Sequence, residues 1–229
     1  MQDLSGLEKN LGVIFVDKNL LLQAVVHRSY LNEHPTFAVG HNERLEFLGD
    51  AVIELVVTEY LYEHYPNPEG ELTTWRSALV NAITLSDICK QLGVEDYMHL
   101  SRGESKDIAS KARMYILANA FEAVVGSMYL DRGYDVCKTF IGEKVISRLP
   151  YILEHHLYLD PKSRFQEAAQ ERQGMTPQYK VLDEVGPDHA KIFTVGVFIG
   201  SEQIAVGQGT SKQEAQVAAA EKAIEKMGW

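Results

Sequence analysis

Residues 41–54 read HNERLEFLGDAVIE. Glu43, Glu46 and Asp50 stand at offsets of 0, 3 and 7, which fall on one face of an α-helix. The neighbouring positions Leu45, Phe47, Leu48, Ala51, Val52 and Ile53 are apolar, which predicts a helix that is largely buried. Carboxylates aligned on a core helix repel one another, and a buried charge without a partner is expensive. A bound divalent cation with oxygen ligands is the simplest neutraliser.

A second polar pair occurs in residues 116–126, ILANAFEAVVG, where Asn119 and Glu122 are spaced i, i+3 on another apolar helix. If the two helices pack together, Glu46, Asp50, Asn119 and Glu122 converge. Hard oxygen donors with room for water suit Mg²⁺, with Mn²⁺ as a substitute. Such an ion activates a water and stabilises the leaving oxygen of a phosphodiester.

The rest of the chain bounds the reading. Its 229 residues are 45% hydrophobic and 24% charged, as in an ordinary globular protein with a sizeable core. Cys89 and Cys137 form neither a zinc pattern nor a disulfide framework. No apolar run is long enough for a membrane span, and MQDLSGLEKN is not a secretion leader, so a cytoplasmic protein with no membrane partner is expected. The net charge of −10 argues by itself against a nucleic-acid partner. Residues 1–159 hold 14 basic and 22 acidic side chains, and residues 160–229 hold 8 and 10. Any binding of a polyanion must therefore rest on a few well-placed cations.

Periodicity predicts short helices over 3–27, a polar loop at 32–41 and a long helix from 42 to 64 ended by Tyr65-Pro66. A helical block over 69–92, a charged loop at 101–110, and helices over 111–131 and 134–154 follow. No strand pattern precedes residue 155. After a short linker at 155–160 the character changes. Residues 161–173 and 211–227 read as helices and flank three β-branched or aromatic runs at 178–186, 191–200 and 203–209. The expected organisation is an all-α domain over 1–154 and a small α+β domain over 161–229. In the latter, an α-β-β-β-α order places both helices on one face of an antiparallel meander.

NERLEFLGD, within the opening stretch, resembles the signature of bacterial ribonuclease III. AVVHRSYLNE (24–33), EGELTTWRSALVN (69–81) and ILANAFEAVVGSMYLD (116–131) resemble that family's nuclease domain in order and spacing. The trailing α-β-β-β-α unit resembles its double-stranded-RNA-binding domain. The resemblance implies a Mg²⁺-dependent homodimeric endoribonuclease that cuts both strands of an RNA duplex. Its products carry 5′-phosphate and 3′-hydroxyl ends, and its roles lie in processing ribosomal RNA precursors and structured transcripts. It assigns the metal to Glu46, Asn119 and Glu122. Asp50 and Glu122 become active-site acids, Glu43 an acid at the mouth of the site, and the 42–64 helix the dimer interface. The family's usual residue at 119 is Asp; Asn119 keeps a ligand oxygen and loses a negative charge.

In the second domain the resemblance selects Ser163, Gln166, Glu167 and Gln170, which share one helix face, for minor-groove contacts. It selects the turn GPDH with His189 for a second groove, and the helix start at Ser211 and Lys212 for phosphates. Further lysines usual in that helix are here Gln213 and Gln216, which predicts weaker binding by this domain.

Blander readings stand beside these. His27 is expected to anchor local structure, Trp75 to be core or interface in preference to a stacking platform for RNA, and His155-His156 to be linker. Arg102, Lys106, Lys111 and Arg113 are either a solvated stretch or phosphate contacts. The rival functions are a non-cleaving duplex-RNA-binding protein with an attenuated metal site and a hydrolase of small phosphoesters.

Overall fold

The computed structural model describes residues 3–107, 110–187 and 191–229, and the chain divides into two compact units, Met1–Glu154 and His155–Trp229. The first is helical: α1 (Ser5–Leu11), α2 (Lys18–Ala24), α3 (Arg28–Glu33), α4 (Glu43–His64), α5 (Glu69–Val80), α6 (Ala82–Gln91), α7 (Arg102–Lys106), α8 (Lys111–Arg132), α9 (Tyr134–Lys144) and α10 (Leu149–Glu154). Short 3₁₀ turns occupy Val94–Tyr97 and Ile146–Arg148. The only strand-like feature described in this unit is an isolated bridge between Val26 and His99. No helix among the described residues is long and apolar enough to cross a membrane.

α8 is the axis of this unit. Its residues from Ile116 to Met128 are almost all buried, and it packs chiefly on α4 and α6. Where α4 crosses α8, Gly49 faces Gly126. A Cβ on Gly49 would lie 1.8 Å from the Glu122 carbonyl oxygen, and one on Gly126 would lie 2.1 Å from the Leu45 carbonyl oxygen. The two backbones therefore touch, much closer than side-chain-bearing helices allow.

The structure departs from the expected elements in four places. The 69–92 block is two helices, because Asn81 is extended, its side chain accepting from the Thr84 amide at 2.9 Å to start α6 and donating to the Ala78 carbonyl at the end of α5. The 134–154 helix is interrupted after Lys144 by the 3₁₀ turn Ile146–Arg148, and α10 starts again at Leu149 with Pro150 in its first turn, where an N–H is not needed. The 101–110 stretch contains α7, capped by Ser101. Finally, α4 is buried on one side only: Phe47 (81% exposed), Ala51, Leu55, Thr58 and Tyr62 form an outward stripe at helical spacing.

The second unit runs α11 (Pro161–Gln173), β1 (Gln178–Val185), β2 (Ile192–Ile199), β3 (Glu202–Gly209), α12 (Lys212–Met227). Asp160 caps α11, accepting from the amides of Lys162 and Ser163, and Pro161 sits at its first position. The strands form an antiparallel meander in the order β1-β2-β3. Phe165 and Ala169 of α11, Ala219, Ala220 and Ala223 of α12, and Val197, Ile199 and Ile204 of the sheet share one core, so both helices cover the same face.

Gly126→Ala is expected to destabilise the first unit by about 3 kcal/mol, the upper end of overpacking, because its methyl meets backbone that cannot rotate away. Chemical denaturation checks this; a midpoint within error of the parent would show that the helices can separate freely.

Candidate active site

The glycine crossing sets the site. With the backbones in contact, the side chains one turn away on either helix have no room to diverge. Glu46 on α4 and Asn119 on α8 come near each other, and the Asn119 amide lowers the Glu46 carboxyl. Glu122 stands one turn further along α8, with Asp50 and Glu46 as its charged neighbours.

Burial and like charge act together here. The Glu122 carboxyl is pushed up to about 8, first by burial and then by the charges of Asp50 and Glu46. Glu46 is raised as well, by burial, then by Glu43; the bond from Asn119 works in the opposite direction, and Asp50 adds a smaller upward push. Among the described residues no lysine or arginine is among the influences on either carboxyl, so the two lack a cationic protein partner. Glu43 is half-exposed at the start of α4, 3.3 Å from the Arg28 guanidinium and 3.7 Å from His41 Nδ1. Asp50 is exposed at the solvent edge.

Among the described residues no three His, Cys, Asp or Glu side chains form a metal-holding group by themselves. The donor set is instead Glu46 and Glu122 with the Asn119 amide beside Glu46, and Asp50 is close enough to act on both glutamates. Its chemistry fits a hard divalent cation: the donors are oxygens, and the charge is uncompensated. The Asn119 amide offers an oxygen as well as an N–H₂ to this cluster.

Other residues singled out in the sequence fall as follows. Arg113 is not a phosphate contact: it is 6% exposed and bonds Glu95 through Nε (2.9 Å) and Nη2 (2.8 Å). His27 caps α3, its Nδ1 accepting from the Ser29 amide. Trp75 is buried against the edge of Tyr65. His155 and His156 are exposed. In the second unit, Ser163 Oγ donates to its capping Asp160, Gln170 donates to Thr176 at 3.2 Å, and Gln166 and Glu167 are exposed on α11. Ser211 caps α12, accepting from the Glu214 amide, and Lys212 lies 3.1 Å from Glu184. His189 lies outside the described residues. The sequence reading passed over Gly49, Gly126 and Glu184. A glycine inside an apolar helix, in EFLGD and again in EAVVG, was the available signal for the first two.

The raised Glu122 has a consequence for stability. Between the ordinary carboxyl value of 4.5 and about 8, the folded chain keeps a proton that the unfolded chain has lost, so stability falls as pH rises through that window. In EDTA, Glu122→Gln should leave the thermal midpoint nearly unchanged at pH 5 and raise it by a few degrees at pH 8.5. Parallel midpoint curves for variant and parent would show that Glu122 ionises normally.

Comparison with known proteins bears on both units. A family described as Ribonuclease-III-like matches residues 17–149, and the double-stranded RNA binding motif matches residues 161–227. The Ribonuclease 3 of Carboxydothermus hydrogenoformans is 44% identical over 98% of this chain and 95% of its own length. That of Streptococcus thermophilus is 40% identical over 97% and 96%. A solved nuclease domain of ribonuclease III from Campylobacter jejuni, described for flexibility in a region involved in dimer formation, superposes with a TM-score of 0.56 at 35% identity. The match covers 65% of this chain and 99% of that one. With a helical unit of this family followed by its RNA-binding motif, and relatives aligned from end to end, the chain belongs to the ribonuclease III family.

Proposed function

We infer that this chain is an endoribonuclease that hydrolyses both strands of double-stranded RNA, leaving 5′-phosphate and 3′-hydroxyl ends. On this reading residues 1–154 are the nuclease domain, 155–160 a linker and 161–229 the RNA-binding domain, and the natural substrates are ribosomal RNA precursors and structured transcripts. The observation that carries it is the uncompensated acidic pocket at the α4–α8 crossing, in one chain with a double-stranded RNA binding motif.

Glu46, Asn119 and Glu122 hold Mg²⁺, for which Mn²⁺ substitutes. When bound, the ion supplies charge neutralisation at the scissile phosphate and acidifies the attacking water. Asp50, at the solvent edge, orients that water. Glu122, raised to about 8, would have to lose its proton to hold the ion, so metal affinity would rise with pH. Glu43, paired with Arg28, lines the mouth. The two free, buried cysteines suit a reducing cytoplasm.

The chain works as a homodimer through α4. Phe47, Leu55 and Tyr62 are 81, 58 and 81% exposed on one stripe, and a second copy of the same stripe is the self-complementary partner that a two-fold interface requires. Leu55→Asp is expected to halve the particle mass in sedimentation and to abolish paired cutting of the two strands. A variant that remains dimeric would move the interface elsewhere.

Cleavage of a labelled, perfectly paired RNA duplex in Mg²⁺, with EDTA and Ca²⁺ controls, tests the activity. Discrete short products with 5′-phosphates, absent in EDTA, are expected. Duplex that is bound but uncut across wide ranges of Mg²⁺ and Mn²⁺ would favour a non-cleaving binding protein. Asn119→Asp should lower the Mg²⁺ concentration for half-maximal cleavage several-fold, because it restores a charge to the ligand set; an unchanged value would remove Asn119 from that set.

A further inference from the structure

α12 brings one lysine of its own to its first turn, Lys212; Gln213 and Gln216 stand where the resemblance leads one to expect more. Two cations from other elements close on this end of the helix. Lys191, just ahead of β2, and Lys212 both pair with Glu184 of β1, at 3.7 and 3.1 Å. Lys162, in the first turn of α11, donates from Nζ to Gln216 Oε1 at 2.7 Å. Gln216 lies one turn beyond Lys212, so the two positions share a helix face.

The packing that gathers them is unusually close. A Cβ on Gly207 would lie 2.2 Å from the Ala219 amide nitrogen, and one on Gly209 would lie 2.6 Å from that of Ala215. Bare backbone on β3 therefore lets α12 rest directly on the sheet, with Lys212 over the ring of Phe193 at 5.5 Å. Lys162 is held in the same way over Tyr179 at 5.3 Å. Lysines held on rings and acceptors lose less side-chain freedom when a ligand arrives. Three ammonium groups gather here: Lys191 and Lys212 share the single carboxylate of Glu184, and Lys162 sits near Asp160, whose carboxyl it helps to lower. Surface ion pairs are weak, so a phosphate oxygen can take the place of the Glu184 carboxylate at little expense.

We propose that Lys162 and Lys191 contact RNA phosphates together with Lys212, with Gln216 and Glu184 holding them in position until the duplex arrives. The phosphate-binding face is assembled from α11, the start of β2 and α12, and the two external lysines replace the cations missing from α12. This rests on the reading of residues 161–229 as a double-stranded-RNA-binding domain.

The test is fluorescence anisotropy of a labelled RNA duplex with the full-length chain in EDTA, across a series of KCl concentrations. Lys162→Met, Lys191→Met and Lys212→Met should each flatten the plot of log affinity against log salt by about one phosphate contact and weaken binding several-fold. Lys180→Met should do neither, because Lys180 packs on Phe198 on the face of the sheet away from the helices. Lys162→Arg and Lys191→Arg should keep the parent slope. The proposal is overturned if Lys162→Met and Lys191→Met keep the parent slope while Lys212→Met loses a contact. It is also overturned if the arginine variants lose as much as the methionine ones, which would mark a packing role. If the parent does not bind the duplex, or Lys212→Met has no effect, the reading of the domain itself fails.

Discussion

The contact of Gly49 with Gly126 governs the acidic site. With any side chain at either position, α4 and α8 would move apart, because the opposing atoms are backbone and cannot rotate out of the way. Separated helices would leave Glu46 beyond the reach of Asn119 and would let water between Asp50 and Glu122. Two glycines, each a poor helix former, are the condition for bringing four polar side chains from two helices into one small volume.

Placing acids so closely inside a helical unit works against folding. Burial and mutual repulsion raise Glu46 and Glu122, and part of that strain is relieved by a proton kept on Glu122 and by the Asn119 amide, which lowers Glu46. Aspartate at 119 would add a further negative charge to the same place. Asn119 therefore makes the acidic cluster easier to fold, by the one negative charge that it lacks.

The second unit solves the opposite problem, gathering cations on a chain that carries few. Its net charge is close to balanced, and its helix start is short of lysine. Glycines on β3 again let one element rest on bare backbone, and the close approach brings Lys162, Lys191 and Lys212 to one helix end. In both units the chemistry depends on backbone approach at glycine, with side chains from separate elements meeting there.

Much of this was legible in the chain. Helical spacing placed Glu43, Glu46 and Asp50 on one face, and Asn119 with Glu122 on another, because both patterns are local. The alternating runs after residue 177 marked the three strands for the same reason. Breaks were harder to read, because Asn81 looks ordinary until its side-chain bonds to Ala78 and Thr84 are followed. Pairings distant in sequence were not legible: Arg113 was read with its basic neighbours, yet Glu95 takes it into the interior. Phe47 was read as core, yet it faces outward on α4. Sequence alone determined most of the elements and the residue types available for chemistry, since these follow from local periodicity. Tertiary structure alone decided which of those residues meet, because that depends on how closely two backbones pass, and here glycine contacts set that distance.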